Sequence, residues 1–254
     1  MRQFSLTNKS GETYRLNDLK WFFHNPKGLG FTRNTTFQKI GYNYEILSDD
    51  YNQEPITGEI RFKSDKTSDA YHKYSAFTRF IQDVPLVVHY RVTDTEYLLD
   101  VIISSVDKTE INVSSGMNVK ITIMPLSLWY QKIEKTASGT SITVISESAI
   151  ESPCHVTFKP SAAITALTWT HAIDGVTKIT GGLTGISVST NQTLHIRTDT
   201  NPYKIYRNTE ATNYYSKSDF SKKRFILLGK GTNVITFNTS GAIGVEGRIL
   251  YETV

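Results

Sequence analysis

The residues able to ligate a metal or move a proton are few and scattered. His24, His72, His89, His155, His171 and His195 fall one to a segment, and no two have the close spacing of an HExxH helix. Cys154 adjoins His155, but neighbours in an extended run point to opposite faces and cannot ligate together. These histidines read as structural. No Gly-x-Ser-x-Gly elbow presents a nucleophile. GLG at 28–30 and GKGT at 229–232 invite a phosphate-binding reading, since glycines let backbone N–H groups approach an anion. The first runs into Phe31 and a strand pattern, and the second lacks the Gly-x-x-x-x-Gly-Lys-Ser/Thr order. Gly229 and Gly231 instead suit a turn between RFILL and NVITF, where positive φ costs glycine little. The acid pair Asp49 and Asp50 has no second acidic cluster to work with and is expected at the polar tip of a hairpin. The expectation is a protein that is not an enzyme and needs no metal or cofactor.

Binding by aromatic faces is better represented. A sugar can stack on a ring while polar neighbours take its hydroxyls, and Trp169, Tyr203, Tyr206, Tyr214 and Tyr215 are candidate glycan or adhesin contacts in the second half. Phosphate-backbone recognition has little support. Net charge is +4, and cutting after Lys135 gives 17 Lys and Arg against 16 Asp and Glu before the cut and 11 against 8 after it. Only SKKRF at 221–225 makes a short basic cluster, which suits a solvated turn. Cys154 is the lone cysteine, so no disulfide forms within the chain, and MRQFSLTNKSG has no apolar signal region. Asn34-Thr35-Thr36 and Asn191-Gln192-Thr193 then read as ordinary strand and turn residues. No stretch approaches the roughly 20 apolar residues of a membrane helix, and membrane insertion is not expected.

The elements that must position these residues show two kinds of pattern. TSDAYHKYSAFTRFIQDVP reads as a helix, with Ala70, Tyr74, Phe77 and Ile81 on one stripe, Ser68 or Asp69 as cap and Pro85 beyond the end. LVVHYRV and EYLLDVIISSV, joined by TDT, read as a hairpin, and MNVKITIM follows the Ser-Ser-Gly turn at 114–116 as a third strand. Upstream, FTRNTTFQKIGYNYEILSDDYNQEPITGEIRF alternates at both ends around polar material, as a long exposed hairpin of about residues 33–57. Such an arm lacks the apolar residues for a core of its own, and its edges call for a partner. In ITIMPLSLWY, Pro125 cannot donate to a ladder, so a strand ends there. Trp129 and Tyr130 are expected to plug the seam to a second module, or else to be core aromatics of one large domain. After KIEKTASGT the helical period disappears, and short Thr/Ser/Ile/Val strands separated by turns suggest a β-sandwich. The division is a first domain of residues 1–135 and a second of 136–254, with GRILYETV a strand that can return to the first.

Taken in order, NPKGLGF at 25–31, GEIRF at 58–62, the helix leading to FIQDVPLVVHYRV, VDKTEI, LSLWYQK at 126–132 and LLGKGTNVITF resemble landmarks of the distal tail proteins of long-tailed siphophages. The resemblance spans nearly the whole chain. It implies a mainly β protein with one helix: an N-terminal α+β ring-forming domain with a protruding hairpin arm, and a C-terminal sandwich similar to galectins or carbohydrate-binding modules. It implies a homo-hexameric ring in the virion, joining the tail tube protein to a tail-associated lysin or fibre and carrying receptor-binding or baseplate proteins. DNA would pass through the ring without specific recognition. Phe37, Ile40, Tyr42, Tyr44, Ile46 and Tyr51 of the arm are then the expected subunit contacts. No galectin-type His/Asn/Arg/Trp/Glu array matches, so a scaffold is preferred over the alternative, a carbohydrate-binding adhesin.

Overall fold

Alternating apolar residues with a period of two dominate the chain, and the computed structural model is accordingly mainly β, with a single α-helix among its described residues. It describes residues 3–18, 21–40, 42–62, 67–109, 117–219, 221 and 225–252. These fall into two compact units: residues 1–130 with 251–254, and residues 131–250.

The first unit contains β1 (Gln3–Thr7), β2 (Thr13–Arg15), β3 (Asn17–Asp18), β4 (Trp21–Lys27), β5 (Phe31–Ile40), β6 (Asn43–Gln53), β7 (Ile56–Phe62), α1 (Thr67–Phe80), β8 (Leu86–Val92), β9 (Thr95–Lys108) and β10 (Met117–Pro125). Its main sheet is antiparallel, in the order β2-β1-β8-β9-β10-β7-β4-β3. Leu86, Val88 and Tyr90 of β8 and Met117, Val119, Ile121 and Ile123 of β10 alternate inward and are buried. Helix α1 lays Ala70, Phe77 and Phe80 on that layer, with the Phe77 ring 5.3 Å from Tyr14 and 6.0 Å from Phe62. Ile81, expected on the stripe, lies just past the last turn and is partly buried; Phe80 takes the final core position. Asp69 stands in the first turn; the Ser68 side chain lies outside the described set, as does the turn at 114–116.

Strand β10 does stop at Pro125, where Leu126 N–H donates to the Asp100 carbonyl at 2.7 Å. Trp129 then joins the first core, 5.9 Å from the Tyr90 ring, and the Tyr130 hydroxyl donates to Asp100 Oδ1 at 2.7 Å. The tail returns to the same unit. Tyr251 meets Tyr97 edge-on at 5.2 Å, and Gln53 Nε2 donates to the Glu252 carbonyl at 2.6 Å.

The second unit is built from β11 (Trp129–Ser146), β12 (Ser152–Pro160), β13 (Ile164–Ile173), β14 (Val176–Val188), β15 (Leu194–Arg197), β16 (Lys204–Arg207), β17 (Thr209–Asn213), a short 3-10 turn (Tyr215–Lys217), β18 (Leu227–Leu228) and β19 (Gly231–Tyr251). KTASGT is no linker: it lies inside β11, because Thr and Ser suit an exposed strand as well as a loop. The 21-residue β19 serves two sets of strands, pairing with β13 through Asn233–Phe237 and with β12 through Gly241–Gly247. On the β12 side the ladder continues through β15, β16 and β17, and on the β13 side it ends in β14. Both sets bury residues in one core, where Phe158 and Phe237 stack at 4.4 Å. This is a β-sandwich arrangement.

Candidate assembly and ligand-binding sites

Strands β5 and β6 form a two-stranded sheet of their own, paired from Phe31 and Gln53 out to Ile40 and Asn43. Register places Phe37 opposite Ile46 and Lys39 opposite Tyr44, so these side chains share one face; Thr32, Asn34, Thr36, Gln38, Glu45 and Ser48 fall on the other, together with Ile40. The hairpin is therefore amphipathic rather than uniformly polar. A register shift between Thr36 and Phe37 leaves Leu47 as the extra residue of a bulge. Its apolar face has no covering: Phe37 is 60% exposed, Tyr44 68% and Ile46 57%, with Tyr42 fully exposed beyond the last pair. Ile40 and Leu47 are exposed as well. Tyr51 pairs with Arg33 in register, and its side chain lies outside the described set. The arm ends sooner than the pattern suggests, since Ile56 and Thr57 already pair with β10 and Ile56 is buried. Asp49 and Asp50 sit along β6 opposite Thr35 and Asn34, not at the tip.

In the second unit the five aromatic candidates divide. Trp169 is core: it pairs with Gly181, where a Cβ would come within 2.1 Å of the indole, and it is 1% exposed. Tyr214 is also buried and donates its hydroxyl to the Ser187 carbonyl at 2.9 Å. Both are excluded as surface contacts by the packing that holds them. Tyr203, Tyr206 and Tyr215 do come together, in the wall of a cleft of about 1020 Å³ that also includes Phe225, but Tyr206 is itself buried and only Tyr203 and Tyr215 are exposed. Lys222, Lys223 and Arg224 of the basic cluster lie outside the described set.

The histidines are less scattered than their spacing implies. β12 pairs with β15 so that His155 Nε2 lies 2.9 Å from His195 Nδ1, and the His195 ring stacks on Tyr206 at 4.6 Å. Glu246 of β19 approaches His155 Nδ1 at 3.8 Å, and Arg197 is held by Asp199 through bonds of 2.9 and 2.7 Å. Burial pushes both histidines below the ordinary value; for His155 the nearby Arg197 charge adds to it, and for His195 its neighbour His155 does. Only strand register reveals this pair; no sequence spacing could. Elsewhere His171 Nε2 lies 3.0 Å from Asn233 Oδ1, and Asn233 donates to the Gly229 and Gly231 carbonyls. Thus GKGT is a side-chain-braced turn: Gly231 has φ +110, whereas Gly229 is not in the positive-φ region and lies against the tip of Ile173, 2.7 Å from where its Cβ would lie. Among the described residues no group of three or more His, Cys, Asp or Glu is placed to hold a metal ion.

Fold and sites together describe a β-rich structural protein with an uncovered pairing arm. Residues 3–126 match the family model of the distal tail protein N-terminal domain. Over these residues, just under half of its length, the chain is similar to the N-terminal domain of distal tail proteins. Among solved structures it resembles the Dit protein of phage SPP1, described as a paradigm of the hub adsorption apparatus in Gram-positive-infecting phages, with TM-score 0.70 and 8% identity over 97% of this chain and 99% of that one. It also resembles a chain of the phage P2 baseplate in its activated conformation with Ca, with TM-score 0.60 and 14% identity over 100% of both chains. At these identities the likeness is one of fold. No curated protein matches the sequence.

Proposed function

We propose that the chain is a hub subunit of a phage tail tip that closes into a homo-hexameric ring, each β5–β6 arm lying against the neighbouring subunit. The observation that carries this reading is the uncovered row of Phe37, Tyr44 and Ile46 on one face of a hairpin with no core of its own. An isolated two-stranded ribbon is marginal in water, and a closed ring covers every copy of it at once. The distal tail protein match over residues 3–126 supplies the context. In that context one rim of the ring meets the tail tube protein and the other a tail-associated lysin or fibre, while the second unit carries receptor-binding or baseplate proteins. DNA passes through the opening without sequence recognition. The role is mechanical and requires no catalytic group.

The test is the solution mass of the full chain and of Phe37→Asp/Ile46→Asp. Both positions are already exposed, so the variant keeps its circular dichroism and melting temperature. The wild type should have the mass of a hexamer and the variant that of a monomer. A variant that assembles like the wild type would overturn the arm's role, and a monomeric wild type across micromolar concentrations would overturn the ring.

A further inference from the structure

The cleft in the second unit offers a mixture of walls that points to a ligand class. Its apolar lining consists of rings alone: Pro153, Pro202, Tyr203, Tyr206, Tyr215 and Phe225. Among the described residues no Leu, Ile, Val or Met contributes to it. Flat aromatic rings with exposed faces suit the C–H-bearing faces of sugar rings, which stack on them. Tyr203 and Tyr215 are 40% and 38% exposed, and both lean on Phe225, Tyr203 edge-on at 5.0 Å and Tyr215 stacked at 6.1 Å. The rings are thus held before any ligand arrives, which limits the ordering entropy of binding.

The polar part of the lining is hydroxyl-matched and nearly charge-balanced. Asn213 Oδ1 accepts from the Tyr215 backbone N–H at 2.8 Å, which fixes the amide and turns its other end, an NH₂, to donate. Among the described lining residues Asp199 is compensated by Arg197, Lys204 is the cationic member, and Thr200 and Asn201 are neutral ones. Of these described residues a polyanion would find one lysine beside a carboxylate. A neutral saccharide would find ring faces flanked by donors and acceptors. At about 1020 Å³ the cleft lies at the upper end of small-molecule sites, fitting an oligosaccharide better than one sugar.

We infer that the second unit binds a neutral oligosaccharide in this cleft, its sugar rings stacking on Tyr203 and Tyr215 and its hydroxyls bonding to the Asn213 and Asn201 amides. This is independent of ring formation, since every lining residue belongs to one chain's second unit. The probes are the trisaccharides of glucose (α- and β-linked), galactose, N-acetylglucosamine and rhamnose. Each is titrated into the full-length protein, with saturation-transfer NMR to detect contact and calorimetry to measure Kd. At least one should bind, and Tyr203→Ala and Tyr215→Ala should each weaken it about three- to tenfold, the range expected for losing one ring face. Tyr203→Phe, which keeps the face, should bind within about twofold of wild type, and Val176→Ala, at an exposed position outside the lining, should not differ. Unchanged melting temperatures establish that the variants are folded. The inference is overturned if no trisaccharide receives saturation, if binding survives both Tyr→Ala changes, or if only a polyanion such as heparin binds and is released by salt. Protection of Tyr203 and Tyr215 by a co-assembled tail protein, with no sugar bound, would equally overturn it in favour of a protein partner.

Discussion

At the scale of single residues, burial decides which groups are chemically available. Cys154 makes the point most sharply: burial, its largest perturbation, pushes the thiol up to about 12, against a weaker lowering effect of the Thr198 hydroxyl. Thiol reagents at pH 8 should therefore label it only after unfolding, and labelling of the native protein at the unfolded rate would contradict the packing. The sign of the linkage follows. Above about pH 8.5 an unfolded cysteine sheds a proton that the folded one keeps, so stability is full below that value and falls as pH rises toward 12. The histidines act at the other end. His155, His171 and His195 are all held below the ordinary value, chiefly by burial, so the unfolded chain takes up protons first as pH falls. Stability is full above about 6.5 and declines as pH drops through the folded values. The melting temperature should fall by several degrees from pH 7.5 to 5, and His155→Gln/His195→Gln should flatten that drop. A wild-type profile without a slope would refute it. The opposed faces of Cys154 and His155 were legible from strand period alone; the meeting of His155 with His195 was not, because it depends on which strands pair.

Elements were legible to the degree that one face carried the signal. Helix α1 announces itself through Ala70, Tyr74 and Phe77, and the structure buries that stripe. Phe77→Ala should destabilise the protein by about 3–5 kcal/mol, measured by denaturant unfolding, since it empties a site shared with Tyr14 and Phe62. A loss below about 1 kcal/mol would mean that the helix is not seated as described. The arm was legible as a hairpin but not in its amphipathicity, because the shared face of Phe37, Tyr44 and Ile46 depends on the register at the tip, which pairs Ile40 with Asn43 and Phe37 with Ile46. In the second unit, Trp169 looked as available as Tyr203, and only the Gly181 opposite it explains why the larger ring is inside. Gly181→Ala should cost about 1–3 kcal/mol by overpacking, and a neutral result would mean that the indole can move aside.

For the whole molecule, the change in pattern along the chain foretold two cores, and the structure has two clusters of buried residues. The place of the division was not legible. A boundary read from composition fell at Lys135, but β11 runs unbroken through it, and Ile133 and Ala137 pack on the second core. We therefore propose Gln131 and Leu250 as the limits of an independently folding fragment. Residues 131–250 expressed alone should melt cooperatively as a monomer. Residues 1–130 alone should melt lower than the same segment carrying 251–254 through a short flexible linker, because Tyr251 packs on Tyr97. Equal melting temperatures for these two versions would remove the tail from the first core. A 131–250 fragment with hexameric mass would place assembly in the wrong half.

The position of Tyr251 in the first core also sets an order of events during synthesis. Translation delivers residues 1–130 early, yet the partner of Tyr97 leaves the ribosome only after the entire second unit has been made. A chain terminated before residue 251 thus lacks the ring that packs on Tyr97. Completion of the first core is thereby coupled to translation of the second unit.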